Sequence, residues 1–185
     1  MMIQLDHIAI LTTSLEKSAK QLPSSFSLGM VEEQPKEGTR EQYVNWPAGA
    51  GPSLLFMQPI QDGPYQGALE KRGPGLHHLG CVTDHLDDAI EYFAKHGLLL
   101  HPISLTTYSK HTVWMCRPGI PFLLELYQSS GLISKNESEV LIDLPHSSII
   151  MSSVDFIPQA IIRSSDTPQI KISAGSQSVD IISGL

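Results

Sequence analysis

The sequence repeats itself at an interval of seventy-one residues, and a chain built from two copies of one unit has few folds open to it. Leu5-Asp6-His7-Ile8-Ala9-Ile10 is a short strand-like run, and Ser14-Leu15-Glu16-Lys17-Ser18-Ala19 after it reads as an N-cap opening a helix. The pattern returns at Leu76-His77-His78-Leu79-Gly80-Cys81-Val82. Asp84 then stands as the N-cap candidate, and Leu86, Ala89, Ile90 and Phe93 recur at helical spacing until Gly97. Strand-like runs bounded by Gly and Pro follow each helix: Leu28 to Glu32, Glu41 to Trp46 and Ser53 to Met57 in the first half, and Leu98 to Ile103, His111 to Cys116 and Phe122 to Tyr127 in the second. Each half is a strand, a helix and three strands, joined by a helical connector from Gly63 to Arg72. Pro23 cuts the first helix short.

The pattern predicts an α+β fold in which two βαβββ modules, at about residues 3–60 and 74–128, form a cupped mixed sheet within a domain spanning 1–128. Residues 129–185 differ in composition: they hold one of the twelve aromatics, Phe156, and fourteen serines. Their apolar β-branched runs (Val140 to Leu144, Ile149 to Val154, Ala160 to Ile162, Ile170 to Ile172 and Val179 to Ile182) are too Ile-rich for a typical disordered tail. They predict a serine-rich, strand-forming C-terminal extension.

Twelve Lys and Arg against nineteen Asp and Glu give a net charge of −7, with no basic run, so a nucleic-acid partner is disfavoured. No apolar stretch approaches the ~20 residues that span a bilayer, and the N-terminus lacks a basic region before an apolar core. These features predict a soluble, cytoplasmic protein without a membrane partner. Cys81 and Cys116, lacking a CxxC spacing, read as free thiols in strands.

Among eight histidines, His7 and His78 stand apart because they are repeat equivalents, and a pseudo-twofold axis would turn both toward one concave surface. His85, His96, His101, His111 and His146 read as ordinary surface or hydrogen-bonded residues. Glu125 lies inside the apolar run Phe122-Leu123-Leu124-Glu125-Leu126-Tyr127, where a carboxylate is expensive to bury unless paired or bound to a metal. Two imidazoles and a carboxylate on neighbouring strands suit a divalent ion, Zn, Co, Ni, Mn or Fe, with positions left open for water or substrate. A carboxylate simply hydrogen-bonded to the two histidines is the alternative.

Leu5-Asp6-His7-Ile8-Ala9-Ile10, Glu37-Gly38-Thr39-Arg40-Glu41, the run from Leu69 to Leu79 ending Gly75-Leu76-His77-His78-Leu79, and Leu123-Leu124-Glu125-Leu126 together resemble the vicinal oxygen chelate (glyoxalase/bleomycin resistance/dioxygenase) superfamily, most of all methylmalonyl-CoA epimerase. The resemblance covers residues 3 to 128. It implies metal ligation from the first, fourth, fifth and eighth strands, and His7, His78 and Glu125 match the first, third and last of these. The fourth-strand ligand falls on Leu55, Leu54 or Phe56 according to the alignment, and all three are apolar. Gln58, the nearest amide, has the wrong parity relative to Leu55. The resemblance also supplies Glu41, three residues after Gly38, as a second base beside Glu125. It implies a 1,1-proton transfer through an enolate α to a metal-bound carbonyl, with a small-molecule substrate, acyl-CoA thioesters among the candidates. The cations available for such a substrate are Lys71, Arg72 and Lys110. A homodimer is the expected assembly.

Two alternatives follow. The reduced ligand set fits the 2-His-1-carboxylate triad of an Fe(II) dioxygenase, with His101, His111 and Tyr108 as strand-borne candidates for its supporting His and Tyr. A non-catalytic binding protein of the same fold would also tolerate Leu55, although it would not need Glu41, His7, His78 and Glu125 together.

Overall fold

The computed structural model describes residues 1–130, 139–145, 153–166 and 169–182. β1 (Ile3–Leu11) leads to α1 (Leu15–Gln21), whose N-cap Ser14 accepts a hydrogen bond from the Lys17 amide; the helix stops at Leu22, the residue before Pro23. β2 (Ser27–Gln34), β3 (Thr39–Asn45) and β4 (Ser53–Pro59) complete the first unit, and α2 (Pro64–Arg72) is the connector. β5 (Gly75–Thr83), α3 (Leu86–Lys95), β6 (Leu99–Leu100), α4 (Ser104–Thr107), β7 (Thr112–Cys116) and β8 (Leu123–Gln128) form the second.

These strands make one eight-stranded sheet in the order β2-β3-β4-β1-β5-β8-β7-β6. Within each unit the first and last strands pair in parallel, β1 with β4 and β5 with β8, while β1 and β5 join the units antiparallel at the centre. The order reads the same from either edge, as two equivalent modules related by a twofold axis between β1 and β5 would make it. One face carries Ile8, Ile10, Leu54, Phe56, Leu79, Leu124 and Leu126, all 2% exposed or less, against α1 and α3. The other face is the cup, where Ala9, Leu11, Leu55 and Met57 pack against Tyr65, Ala68 and Leu69 of α2.

Three local readings need correction. Asp84 does not cap α3: His85 occupies the N-cap, and an Asp84 carboxylate oxygen accepts from the Met2 amide at 2.6 Å. The run Leu98 to Ile103 is a strand only at Leu99–Leu100. Beyond it the chain turns into α4, where the Ser104 hydroxyl donates to the Trp114 carbonyl and accepts from the Trp114 amide, occupying the edge of β7. Tyr108 therefore sits in a 3₁₀ turn, and His111 in the left-handed region at φ 58, instead of on strands.

A second, five-stranded sheet follows, formed by β9 (Val140–Pro145), β10 (Ser153–Ile157), β11 (Ala160–Ser165), β12 (Gln169–Ala174) and β13 (Gln177–Ile182) in the order β10-β11-β9-β12-β13. Val140, Ile142, Ile162, Ile172 and Val179 alternate inward and join the apolar cluster under the first sheet. The Tyr92 hydroxyl donates to the Phe156 carbonyl at 3.0 Å, and the Leu5 amide donates to the Gln159 side chain at 3.1 Å. His146, and residues 149–152 of the run beginning at Ile149, lie outside the described residues.

Candidate metal centre

The two central strands bring the repeat-equivalent histidines together: His7 Nε2 and His78 Nε2 are 3.1 Å apart. Glu125 Oε2 lies 3.5 Å from His7 Nε2 and 3.6 Å from His78 Nε2. One ligand atom from each residue falls within 4.8 Å of the others, and among the described residues no other group of three His, Cys, Asp or Glu side chains meets that spacing. His7 and His78 are 4% and 2% exposed. The three open into a cavity of about 170 Å³ whose other walls include Glu37, Glu41, Tyr43, Leu55, Tyr65 and Trp114.

Sheet register explains the approach of the side chains. His7 lies opposite Gly80 on β5, and a Cβ at residue 80 would overlap the His7 ring. The symmetry-equivalent small residue, Ala9, lies opposite His78. Each histidine therefore has a small residue beneath its ring, two positions after its counterpart in the other unit. That signal is present in the sequence as His-Ile-Ala and His-Leu-Gly.

The register also distinguishes the three fourth-ligand positions. Gly80 pairs with Glu125 in β8, and its equivalent Ala9 pairs with Leu55 in β4, so Leu55 is the structural counterpart of Glu125. Leu55 lines the cavity, whereas Leu54 and Phe56 belong to the opposite core. The Gln58 side chain accepts from the Leu15 amide at 3.2 Å and is thereby engaged with α1.

Two residues beside the triad are not identified by sequence reasoning. In the β1–β5 pairing, Leu5 faces Cys81 and His7 faces Gly80, so Asp6 is the extra residue of a β-bulge; Ala9 faces His78 and Ile10 faces Leu76, so His77 is the extra residue of another. Asp6 and His77 are repeat equivalents, and each bulge turns its residue toward Nδ1 of the histidine that follows. His7 Nδ1 donates to Asp6 Oδ2 at 2.9 Å, and His77 Nδ1 is 2.9 Å from His78 Nδ1. Both Nε2 atoms consequently face each other and Glu125. Imidazoles oriented this way, with Nδ1 held by a neighbour and Nε2 free to bind, are the arrangement of histidine metal ligands.

Burial dominates the electrostatics. Desolvation pushes Glu125 up to about 7, against the opposing pull of His7, with Glu37, Asp6 and Glu41 adding repulsion. Glu41 is also raised by desolvation, partly offset by the Thr39 hydroxyl donating to it at 2.8 Å. Burial pushes His78 well below the usual imidazole range and His77 down to about 4, Arg72 adding to the latter. Burial works to raise Asp6, but hydrogen bonds and charge from His7, with a further bond from Tyr127, bring it below the ordinary carboxylate range. An imidazole kept unprotonated by burial, His78, and a carboxylate that is costly to ionise alone fit a divalent cation.

A sequence profile of the glyoxalase/bleomycin resistance protein/dioxygenase superfamily matches residues 6–108. No curated protein matches the chain in sequence. The fold is similar to that of a methylmalonyl-CoA epimerase solved with methylmalonyl-CoA and NH4+, at TM-score 0.53 and 19% identity over 72% of this chain and 99% of that one. It is also similar to methylmalonyl-CoA epimerase from Mycobacterium tuberculosis (0.50, 22%, covering 69% and 88%) and to a hypothetical protein from Bacillus halodurans (0.52, 16%, covering 73% and 100%). With its profile match spanning more than half the sequence, and with two modules closing on one cup, the chain belongs to the glyoxalase/bleomycin resistance protein/dioxygenase superfamily.

Proposed function

We propose that this protein is a metal-dependent isomerase or lyase of the epimerase and glyoxalase kind, which moves a proton at a carbon α to a carbonyl. The observation that carries the reading is a pair of carboxylates, Glu41 and Glu125, lining the same small cavity as His7 and His78 and both raised by burial. A carboxylate lifted toward neutrality, as Glu41 is, exchanges protons with a carbon acid more effectively than a fully solvated one.

His7, His78 and Glu125 would hold the divalent ion, which supplies a Lewis acid to the substrate carbonyl. Glu41 comes from β3 and Glu125 from β8, on opposite sides of the central β1–β5 pair, so a substrate in the cavity meets a carboxylate from each wing. Glu41 takes the α-proton at a carboxylate oxygen, held in place by the hydrogen bond from the Thr39 hydroxyl; Glu125 serves the opposite face. Tyr43, Tyr65 and Trp114 surround the cavity with rings and keep bulk water from the developing carbanion. The substrate is a small carbon acid, with 2-methylmalonyl thioesters the first to try.

Metal analysis of protein purified without chelator, followed by NMR detection of deuterium entering the α-carbon of a 2-methylmalonyl thioester, tests the reading. Stoichiometric metal with metal-dependent exchange, abolished in Glu41→Gln, is the expected result. Metal without exchange overturns the reaction, and absence of metal binding leaves a binding protein.

A second reading is favoured by Leu55, which leaves two histidines and one carboxylate, the set of an Fe(II) dioxygenase. His101, His111 and Tyr108 do not line the triad's cavity, so the supporting His and Tyr expected for it are missing from those positions. Oxygen uptake with Fe(II) and a catechol would establish it.

A further inference from the structure

We propose that the groove between α2 and β7 is a second compartment of the same site, taking an acyl or aryl chain whose carbonyl or carboxylate oxygen accepts a hydrogen bond from His77 Nε2–H. This rests on the reading of His78 as a metal ligand.

The groove has a volume of about 450 Å³ and shares the Tyr65 and Trp114 side chains with the triad's cavity, so the two spaces adjoin across these rings. Ala68, Ile103 and Leu123 supply apolar wall. Although the chain carries a net charge of −7, no residue lining this groove is acidic, while Lys71 and Arg72 stand along it. The compartment is thus suited to an apolar chain with an electron-rich oxygen.

His77 joins the two compartments. It is 7% exposed and lines the groove, and its Nδ1 meets His78 Nδ1 at 2.9 Å. Among the described residues no protein hydrogen bond reaches His77 Nε2, and no buried side-chain nitrogen or oxygen is left without a partner, so Nε2 is the ring atom open to the groove. A 2.9 Å contact between two imidazole nitrogens holds one proton. Once His78 gives Nε2 to a metal, its own proton is on Nδ1, and His77 Nδ1 must accept it. The proton of His77 is then on Nε2 and points into the groove as a donor. The bulge that places His77 thus assigns two tasks to one ring: Nδ1 orients a metal ligand, and Nε2 presents a donor to substrate. Asp6, its equivalent in the first unit, performs only the orienting task.

The test uses zinc-loaded, ¹⁵N-labelled full-length protein, with zinc stoichiometry measured first and long-range ¹H–¹⁵N correlation reporting the His77 tautomer. Hexanoate and hexanamide supply the acceptor, and hexylammonium is the donor-only control. The expected result is an Nε2–H tautomer whose resonances shift saturably with hexanoate and hexanamide but not with hexylammonium. Gly67→Trp is directed at the groove, which Gly67 lines, and a Cβ there meets no atom within 4 Å; far-UV circular dichroism checks that the fold is kept. The variant should keep stoichiometric zinc and raise the apparent Kd for hexanoate at least tenfold. An Nδ1–H tautomer, an unattenuated hexanoate response in Gly67→Trp, or an equal response to hexylammonium overturns the proposal. Failure to bind zinc overturns both the groove and the metal reading. The expected probe response in a protein that shows no α-proton exchange supports the groove and overturns only the reaction.

Discussion

At the scale of single residues, the site depends on what is absent at position 80. With only hydrogen on Cα, Gly80 lets the His7 ring lie across β5 beside Glu125. Gly80→Ala should cost about 1–3 kcal/mol through overpacking and displace the ring, weakening zinc affinity at least tenfold by isothermal titration calorimetry while far-UV circular dichroism is kept. Unchanged affinity would mean that His7 is not a ligand. Glu125 adds a pH dependence. With its carboxyl pushed up to about 7, the metal-free site holds a proton there below that pH, and binding must displace it, whereas His78, held well below the usual imidazole range, does not compete. Zinc affinity should therefore fall as the pH drops through about 7, and Glu125→Gln should be weaker and less dependent on pH. His7, His78 and Glu125 were legible because their equivalence and the isolated charge are sequence patterns. Asp6 and His77 were not, since a bulge inverts the alternation by which side chains are assigned to faces.

At the scale of elements, pairing register decides which residues the repeat makes equivalent. Residue counting pairs Glu125 with Leu54, but the sheet pairs it with Leu55, because Gly80 and Ala9 are the matching partners. A one-residue difference on a strand exchanges the cup for the core, and it cannot be resolved until the neighbouring strand is in place. The consequence is testable: Leu55→Gln should bring an amide oxygen to the face that carries the triad and tighten zinc binding about tenfold, whereas Leu54→Gln should bury an amide among Ile8, Ile10 and Phe56 and destabilise the fold by about 2 kcal/mol or more, read by chemical denaturation. Most strands were legible as short apolar runs between Gly and Pro, α1 from its Ser14 cap and α3 from the helical spacing of its apolar residues. The short β6 and α4 were not, because Ser104-Leu105-Thr106-Thr107 has no helical apolar stripe, and its turn is held by hydrogen bonds to Trp114, a residue ten positions away.

At the scale of the whole molecule, the question is why a cup completed by residue 128 carries a second sheet. The eight-stranded sheet has apolar residues on both faces: one lines the cup, and the other is only partly covered by α1 and α3, of seven and ten residues. β9 to β13 supply the rest of the cover, and Val140, Ile142, Ile162 and Ile172, none of them accessible to solvent, belong to the same apolar cluster as Ile8, Leu54 and Leu79. Composition announced this segment as strand-forming but could not show where it docks, since alternating Ile and Val fit any apolar surface. A shared core makes a specific demand on unfolding. Trp46 and Trp114 report on the first sheet by fluorescence, and far-UV circular dichroism reports on both. The two signals should follow one guanidinium transition, and Tyr92→Phe, which removes the hydroxyl that α3 donates to the Phe156 carbonyl of β10, should lower both midpoints together, a loss of about 1 kcal/mol in stability. Separate transitions, with Tyr92→Phe moving only the later reporter, would make the second sheet an appended unit. Coincident ones make it the missing half of the first sheet's core.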